Sequence, residues 1–298
     1  MTKVLITGGT GMIGSGISRQ LTKAGHQVVH LSRSTSSSSE YSNYSWDVAK
    51  GIVDEIAFEG VEVIIHLAGA SINQRWTEKN KKIIISSRVK SANLLFDAVH
   101  RLKIPLKAFI SMSAIGYYGG DTGDQLISES HKPGSDFLAE TVRKWEEVAD
   151  QFQSVCPVTK FRTGVVLSDE GGALPKIAAP VRYFVGAPIG SGKQWMSWIH
   201  IDDVVRAFCM AVESKLSGTF NLVAPNPATN AQLTKSIART LGRPLILPNV
   251  PAFVLRMVMG EMATIVIGGN NVSAKHLEST GFRFNYPELD QALKDLLG

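Results

Sequence analysis

The sequence predicts an α/β protein built on a doubly wound parallel sheet, followed by a smaller and mostly helical C-terminal region. Short apolar runs typical of strands alternate with amphipathic helical patterns as far as about residue 225, as the crossovers of a parallel sheet require. Beyond about residue 228 helical patterns dominate. We therefore expect one domain at residues 1–228, with a substrate-side insertion at about 168–198, and a helical region at 229–298.

Six runs are predicted to be strands because they are rich in β-branched and aliphatic residues. They read VLIT, QVVHL, VIIHLAG, KAFISMS, TKFRTGVVL and TFNLV. The helix after the first strand is indicated by Ile13, Ile17 and Leu21, which share one helical face. The serine-rich segment at 34–45 is interpreted as a surface loop because it is short and lies within the alternating region.

Composition limits the class of protein. The chain has 298 residues, of which 44% are hydrophobic and 19% charged, which is enough for a large core. The formal net charge is +5, but the basic residues are scattered, so no nucleic-acid partner is expected. We expect a cytoplasmic protein without a membrane span, since no leader-like segment is present and Arg256 and Glu261 interrupt the most apolar late stretch. Cys156 and Cys209 stand apart from other cysteines and histidines, so neither a metal site nor a disulfide framework is expected.

A glycine-rich turn follows the first predicted strand and opens a helix. Gly8, Gly11 and Gly14 are spaced Gly-x-x-Gly-x-x-Gly. Glycines at such positions allow a tight turn, a close approach of the backbone to a pyrophosphate, and close packing of helix on strand. The helix N-terminus offers unpaired N–H groups to the phosphates. The turn therefore predicts a bound dinucleotide and a Rossmann-type fold.

The end of the second strand indicates which dinucleotide binds. An acidic residue there would hydrogen-bond the ribose hydroxyls of NAD, but the sequence has Leu31, Ser32 and Arg33. A hydroxyl and a guanidinium suit a 2′-phosphate. The sequence therefore favours NADP(H); the alternative is that Arg33 is an ordinary exposed arginine beside a serine-rich loop.

Several motifs together resemble the extended branch of the short-chain dehydrogenase/reductase superfamily. They are TGGTGMIG, Asp47 in SWDV, HLAGA, SMSAIGYYG and WIHIDD. Segments such as RTGVVLSDEGGALPK, NLVAPNPATN and GFRFNYPELDQALKDLL resemble an atypical subgroup, the epimerase family proteins with a C-terminal domain of unknown function. The resemblance covers essentially the whole chain and implies an NADP-binding fold. We expect the subgroup-specific unit, from about residue 248, to close over the substrate side of the cleft.

The resemblance also implies cofactor contacts by position. Those to the pyrophosphate and to the 2′-phosphate fall on Thr7, Gly8, Thr10, Gly11, Met12, Ile13, Ser32 and Arg33. Those to the rest of the adenosine and pyrophosphate side fall on Asp47, Leu67, Ala68 and Gly69. Arg88 resembles the subgroup's own residue near the cofactor, and the contacts closer to the nicotinamide fall on Thr163, Gly164 and Val165.

The catalytic residues of the wider superfamily are incomplete in this sequence. The resemblance implies a Ser or Thr that polarises a carbonyl, a Tyr that exchanges the proton, and a Lys four residues later. Ser113 matches the first, but Leu138 and Val142 occupy the Tyr and Lys positions. Tyr117 or Tyr118 could replace the missing acid, because both follow a strand at its carboxyl end. The alternative is that both pack as loop aromatics.

Three other groups leave alternatives open. Glu140 and Lys144 are four residues apart and share a helix face. They could replace the missing catalytic groups, or they could form an ordinary surface ion pair. His200 and Asp202 share one side of a strand and could bind a metal, although Asp202 or Asp203 more simply caps the next helix. The segment with Trp195, Met196 and Trp198 could form an aromatic wall for a ligand or pack in the core.

The sequence as a whole predicts an NADP(H)-binding oxidoreductase or nucleotide-sugar epimerase-like enzyme. Its substrate is expected to be a small polar molecule of unknown identity. The alternative is a non-catalytic NADP(H)-binding sensor or scaffold, because the Tyr and Lys pair that normally supports turnover is missing.

Overall fold

The computed structural model describes residues 1–34, 40–214 and 216–298. The strands are β1 (Lys3–Thr7), β2 (Gln27–Ser32), β3 (Ser42–Asp47), β4 (Ile52–Val53), β5 (Val63–His66), β6 (Ala108–Ala114), β7 (Leu126–Ile127), β8 (Val158–Thr163), β9 (Val165–Leu167), β10 (Trp195–Met196), β11 (Trp198–His200), β12 (Gly218–Leu222), β13 (Ala228–Thr229) and β14 (Asn271–Val272). The helices are α1 (Met12–Lys23), α2 (Glu78–Leu102), α3 (Phe137–Asp150), α4 (Leu174–Arg182), α5 (Ile201–Ser214), α6 (Asn230–Thr240), α7 (Ala252–Met259), α8 (Thr264–Ile267), α9 (Lys275–Ser279) and α10 (Leu289–Leu297).

An eight-stranded sheet forms the centre of the molecule, in the order β12-β8-β6-β5-β1-β2-β3-β4. All neighbours are parallel except β3 and β4. The strand order reverses between β1 and β5, and open α/β sheets bind ligands in the crevice beyond the carboxyl ends at such a point. The predicted Rossmann-type fold is confirmed.

Two strand predictions need correction. Residues 42–45, which we expected to belong to a surface loop, begin β3; SNYSWD is too polar to be recognised as a strand, and residues 35–39 of that loop lie outside the described part. The run TKFRTGVVL is two strands, because the chain leaves the main sheet after Thr163 and β9 pairs with β11 instead.

Helices cover both faces of the sheet. On one face α1 and α5 pack on the sheet, with the rings of Phe161 and Phe208 4.8 Å apart. On the other face α2 and α3 pack on it, with the rings of Phe109 and Phe152 stacked at 3.7 Å. Within the described residues, no helix is both long enough and apolar enough to cross a membrane.

The C-terminal region shares its core with the residues before it. One buried apolar cluster combines Leu233 and Leu293 from that region with Leu174 and Trp198 from the expected insertion and its border. The expected boundary near residue 228 therefore does not separate two cores.

Asp203 ties the end of the chain to α5. Its carboxylate is fully buried and accepts backbone N–H bonds from Asn285 at 2.7 Å and Tyr286 at 3.0 Å, with Arg206 2.9 Å away. This corrects the expected helix-capping role, because α5 already begins at Ile201. A buried carboxylate is stabilised by these bonds, which also fix the C-terminal segment against the sheet.

Gly164 separates β8 from β9 at a close backbone contact. A Cβ at this position would lie 2.1 Å from the carbonyl oxygen of Ser197. We expect Gly164→Ala to lower the free energy of unfolding in urea by about 1–3 kcal/mol, the usual cost of overpacking. Gly171→Ala is the control, because its Cβ would meet only the Met12 sulfur at an ordinary 3.7 Å. Equal stability of the two variants would contradict this account.

Candidate functional site

The glycine-rich turn has the geometry of an anion site. Gly8 has a φ of 73°, which favours glycine, and a Cβ on Gly14 would lie 2.3 Å from the Gly8 carbonyl oxygen. Helix α1 begins after Gly11 with no side-chain cap and no acidic residue in its first turn. Thr10 lies in the turn, and Met12 and Ile13 are the first residues of α1. The first N–H groups of α1 and the positive end of its dipole are thus available to a phosphate.

The Thr7 side chain forms hydrogen bonds with other parts of the protein. Its hydroxyl accepts N–H bonds from Leu67 and Ala68, both at 3.2 Å, and lies 2.8 Å from His66 Nδ1. The hydroxyl therefore donates to His66, whose other nitrogen lies 3.1 Å from the Ser91 hydroxyl. Burial, and after it the nearby Arg88 charge, lowers the pKa of His66 to about 3. These bonds join the end of β1 to the end of β5, directly before the glycine-rich turn.

Residues at the ends of β2 and β3 lie where the adenosine side is expected. The Ser32 hydroxyl is 2.8 Å from Asn43 Oδ1, and Arg33 is exposed. Asp47 Oδ1 accepts backbone N–H bonds from residues 49 and 50, at 3.0 and 3.1 Å. The bond from Lys50 is the main cause of the lowered pKa of Asp47. Arg33, by contrast, forms no hydrogen bond with another described residue.

Arg88 is a cation without a carboxylate partner among the described residues. Its Nη1 donates to the carbonyl oxygens of Ala70 at 3.0 Å and Ile84 at 2.9 Å, and its guanidinium lies 4.9 Å from the Trp145 ring centre. It also packs on Gly69, whose added Cβ would lie 3.1 Å from the guanidinium carbon. Burial lowers the pKa of Arg88 to about 10, which leaves it charged near neutral pH.

A cavity of about 250 Å³ opens beside Arg88, beyond the carboxyl ends of β6 and β8. Residues of the first domain that line it include Ile84, Arg88, Ala114, Ile115, Phe137, Leu138, Val142, Trp145, Thr163, Gly164 and Val165. Later residues that line it include Trp195, Met196, Ser197, Ile265, Gly268, Gly269 and Asn270. The cavity thus joins the predicted nicotinamide segment at 163–165 to the α3 face on which Leu138 and Val142 replace the Tyr and Lys.

Ser113 does not line this cavity. Side chains alternate across a strand, so Ala114 at the end of β6 reaches the cavity while Ser113 faces α3. The Ser113 hydroxyl donates to Glu146 Oε1 at 2.6 Å, and Ser113 is 2% exposed. Its predicted catalytic role gains no support from this geometry, which gives the hydroxyl a structural partner instead.

Tyr117 and Tyr118 also lie outside the cavity lining. The Tyr118 hydroxyl donates to Asn221 Oδ1 at 2.7 Å and accepts from Arg162 Nη1 at 3.0 Å. Burial raises the pKa of Tyr118 to about 12 despite the nearby Arg162. Tyr117 packs with its ring centre 3.4 Å from the Arg162 guanidinium. The arrangement favours the alternative that both tyrosines pack structurally.

A buried ion pair connects these side chains. Arg162 Nε and Nη2 donate to the two oxygens of Glu146, each at 2.8 Å, and both side chains are almost fully buried. The network that runs from Ser113 through Glu146 and Arg162 to Tyr118 holds β6, α3 and β8 in one arrangement. Its residues do not line the cavity, but they fix the elements that do.

The structure decides two of the alternatives left open by the sequence. Glu140 and Lys144 form an exposed ion pair at 2.6 Å outside the cavity lining, as an ordinary surface pair would. Trp198 is fully buried in a core cluster, whereas Trp195 and Met196 line the cavity. The segment therefore contributes both to the cavity wall and to the core.

Sequence reasoning missed two polar groups of the cavity wall. Trp145 Nε1 and Asn270 Oδ1 are buried and have no hydrogen-bond partner in the described structure. Trp145 lies one helical turn beyond Val142, a spacing that could have revealed it. Asn270 belongs to the C-terminal unit, which we expected to close over the cleft, but no local pattern marks this residue.

We expect Glu146→Ala to lower the free energy of unfolding by about 3–5 kcal/mol, because it leaves the buried Arg162 charge without its partner. Glu147→Ala is the matched control, since the exposed pair of Glu147 with Arg143 is worth at most about 1 kcal/mol. Both values come from urea denaturation near neutral pH. Similar losses in the two variants would show that the buried pair is not a major structural constraint.

The lowered pKa of His66 predicts acid sensitivity. The unfolded chain takes up a proton on His66 near pH 6.5, whereas the folded protein does so only near pH 3. Between these values the unfolded state binds more protons, so stability falls by about 1.4 kcal/mol per pH unit as the pH drops. We expect His66→Asn to be less stable at pH 7 but to lose less stability on acidification to pH 4.5. Parallel curves of unfolding free energy against pH would contradict this.

Two parts of the chain match known protein families. Residues 4–222 match the NAD dependent epimerase/dehydratase family, and residues 250–296 match DUF1731, a domain of unknown function. The chain is 37% identical over 302 residues to the epimerase family protein SSP1921 of Staphylococcus saprophyticus, covering 100% of both. It is 36% identical over 296 residues to the epimerase family protein YfhF of Bacillus subtilis, covering 99% of this chain and 97% of that protein.

A solved structure has the same fold over its whole length. It is the crystal structure of the human epimerase family protein SDR39U1 (isoform 2) with NADPH, which matches with a TM-score of 0.89 and 32% identity over 99% of both chains. These findings confirm the resemblance seen in the motifs. The chain belongs to the NAD-dependent epimerase/dehydratase family and carries a C-terminal DUF1731 domain.

Proposed function

We propose that this protein binds NADP(H) and acts as an oxidoreductase on a small molecule held in the cavity beside Arg88. The observation that carries the proposal is the cavity itself, which joins residues 163–165 to the α3 face where the superfamily places its catalytic groups. The solved structure of the human relative with NADPH supports the same cofactor.

The residues present fit a dinucleotide. The uncapped start of α1 and the close Gly8–Gly14 contact accommodate a pyrophosphate. Arg33 is exposed at the end of β2, where it can pair with a 2′-phosphate, and no acidic residue stands there to select NAD. Arg88 supplies a further uncompensated charge between the turn and the cavity.

The chemistry of the cavity is unusual for the superfamily. NADPH supplies a hydride when bound. Arg88 is the sole ionisable side chain among the described residues that line the cavity, and its pKa of about 10 keeps it charged. Reduction of a carbonyl adds the hydride to carbon and a proton to oxygen, and here the proton must come from water. Without a positioned acid, the rate lacks a factor of about 10²–10⁴.

The same observation supports the rival function, a non-catalytic NADP(H) sensor or scaffold. Leu138 and Val142 both line the cavity, so apolar side chains occupy the positions of the usual proton donor and its lysine. The two functions differ in turnover. Consumption of NADPH at 340 nm with any member of a panel of small aldehydes and ketones supports the oxidoreductase; tight NADPH binding with no consumption supports the sensor.

We expect Arg33→Ala to weaken NADPH binding by about 1–3 kcal/mol, because a charge-assisted hydrogen bond to the 2′-phosphate is lost. NADH binding should not change, since NADH has no 2′-phosphate. Fluorescence titration of both cofactors measures the effect. Arg19→Ala, which removes an exposed arginine from α1, is the control and should leave both affinities unchanged. Equal binding of NADPH and NADH by the parent protein would disprove the proposed preference.

A further inference from the structure

Helix α7 is apolar on all sides and yet lies on the surface. Its sequence, AFVLRMVM, contains one polar residue, Arg256, and none of its residues is buried. Phe253 is 64% exposed, Met257 77% and Val258 73%. A helix that is hydrophobic all round is normally buried. The exposed side of α7 is therefore suited to a contact with something outside this chain.

Further apolar side chains near α7 are also exposed. They belong to residues 183–185, at the end of α4, and to residues 246–247, between α6 and α7. Together with Phe253, Met257 and Val258 they form what we call the apolar patch. The patch holds eight of the thirteen large hydrophobic residues that are exposed in the described chain. It presents on the order of 800 Å² of side-chain surface, which exceeds the roughly 300–600 Å² of the largest apolar patch on a typical soluble monomer and marks an interaction site.

Contacts hold the parts of the apolar patch side by side. The Arg243 guanidinium lies 4.7 Å from the centre of the Phe184 ring. Farther along both segments, the Gly190 N–H donates to the Val250 carbonyl oxygen at 2.8 Å, just before α7 begins. The segments that carry residues 183–185 and 246–247 therefore run alongside each other and lead to α7.

The surface around the apolar patch is positively charged. The patch falls in residues 171–201 and 214–260, which contain eight Lys and Arg residues and no Asp or Glu, although the chain has 26 acidic residues. Arg182, Arg243 and Arg256 lie next to patch residues in the sequence, are exposed, and form no ion pair with a described residue. Two such patches packed face to face would bring like charges together, which disfavours a second copy of this chain. The charge favours an anionic partner.

The exposure of the patch residues indicates what kind of anionic partner fits. Tyr183 is 78% exposed and Ile246 69%, as high as the residues of α7. Side chains exposed to this degree project from the surface, whereas a groove that binds a peptide recesses its apolar side chains. Projecting apolar side chains flanked by cations are typical of helices that lie in the interface of a membrane, with the cations near anionic lipid headgroups.

We propose that the apolar patch docks on the surface of an anionic lipid membrane. Phe253, Met257 and Val258 insert between the lipids, and Arg243 and Arg256 pair with the headgroups. Such docking places α7 in the plane of the interface and requires no helix that spans the membrane.

Flotation with lipid vesicles tests the docking. The full chain is mixed with vesicles of phosphatidylcholine alone or of an equimolar mixture with phosphatidylglycerol, which is anionic. We expect the protein to float with the mixed vesicles and not with phosphatidylcholine alone, because each arginine near an anionic surface strengthens binding by roughly fivefold. An increase in salt from about 0.1 M to about 1 M should weaken binding, since the Debye length falls from about 10 Å to about 3 Å.

Phe253→Ser combined with Met257→Ser should weaken binding to the mixed vesicles by at least about tenfold, because two inserting apolar side chains are lost. Ile52→Ser combined with Ile56→Ser is the matched control, since these side chains are 59% and 56% exposed but lie outside the apolar patch. It should bind as the parent does. Urea denaturation checks that both double variants remain folded.

Arg243→Gln combined with Arg256→Gln should weaken binding by roughly 25-fold, a factor of about five for each arginine. Arg19→Gln combined with Arg101→Gln removes the same charge from α1 and α2. This control should have little effect, because charges away from the docked face are screened by salt. If the serine variant fails to fold, the comparison of the two arginine pairs decides.

Equal binding of the parent to both kinds of vesicle would overturn the proposal, as would an equal loss of binding in the patch variants and their controls. A dimer in sedimentation equilibrium that the serine variant of α7 dissociates would also overturn it, since a second copy would then cover the patch. Absence of binding to either kind of vesicle would overturn it as well and would assign the patch to an acidic protein partner.

Discussion

The ion pair between Glu146 and Arg162 is the constraint on which the candidate site depends. It joins α3 to β8, and through Ser113 and Tyr118 it also holds the end of β6 and the turn that follows. These elements carry the cavity wall formed by α3 and the strand ends. Two buried charges are stable only when each satisfies the other, so the pair permits essentially one arrangement of these elements.

The network also gives two of the residues predicted to be catalytic structural hydrogen-bond partners. Ser113 and Tyr118 are both turned toward Arg162 and Glu146 and away from the cavity. The face that remains toward the cavity is apolar at Leu138 and Val142. Under the proposed function this face would hold the substrate beside the nicotinamide, and water would supply the proton.

The C-terminal region completes the site that the first domain begins. Gly268 and Gly269 approach backbone atoms so closely that an added Cβ would lie 2.2 Å from the Gly120 oxygen and 2.1 Å from the Trp195 oxygen. Asn270 follows directly and binds the Gly119 carbonyl. This close approach makes the DUF1731 segment part of the cavity wall, while Asp203 anchors the last part of the chain.

The sequence by itself determined the fold, the glycine-rich turn and the absence of the usual Tyr and Lys, because these depend on local periodicity and on residues close together in the chain. The resemblance puts Leu138 and Val142 at the Tyr and Lys positions, and both residues line the cavity. Only the tertiary structure decided which way Ser113 points, since an offset of one residue on a strand reverses the face. It alone revealed Asn270, because the contact with Gly119 joins residues 151 positions apart, and no local pattern encodes a contact at that distance.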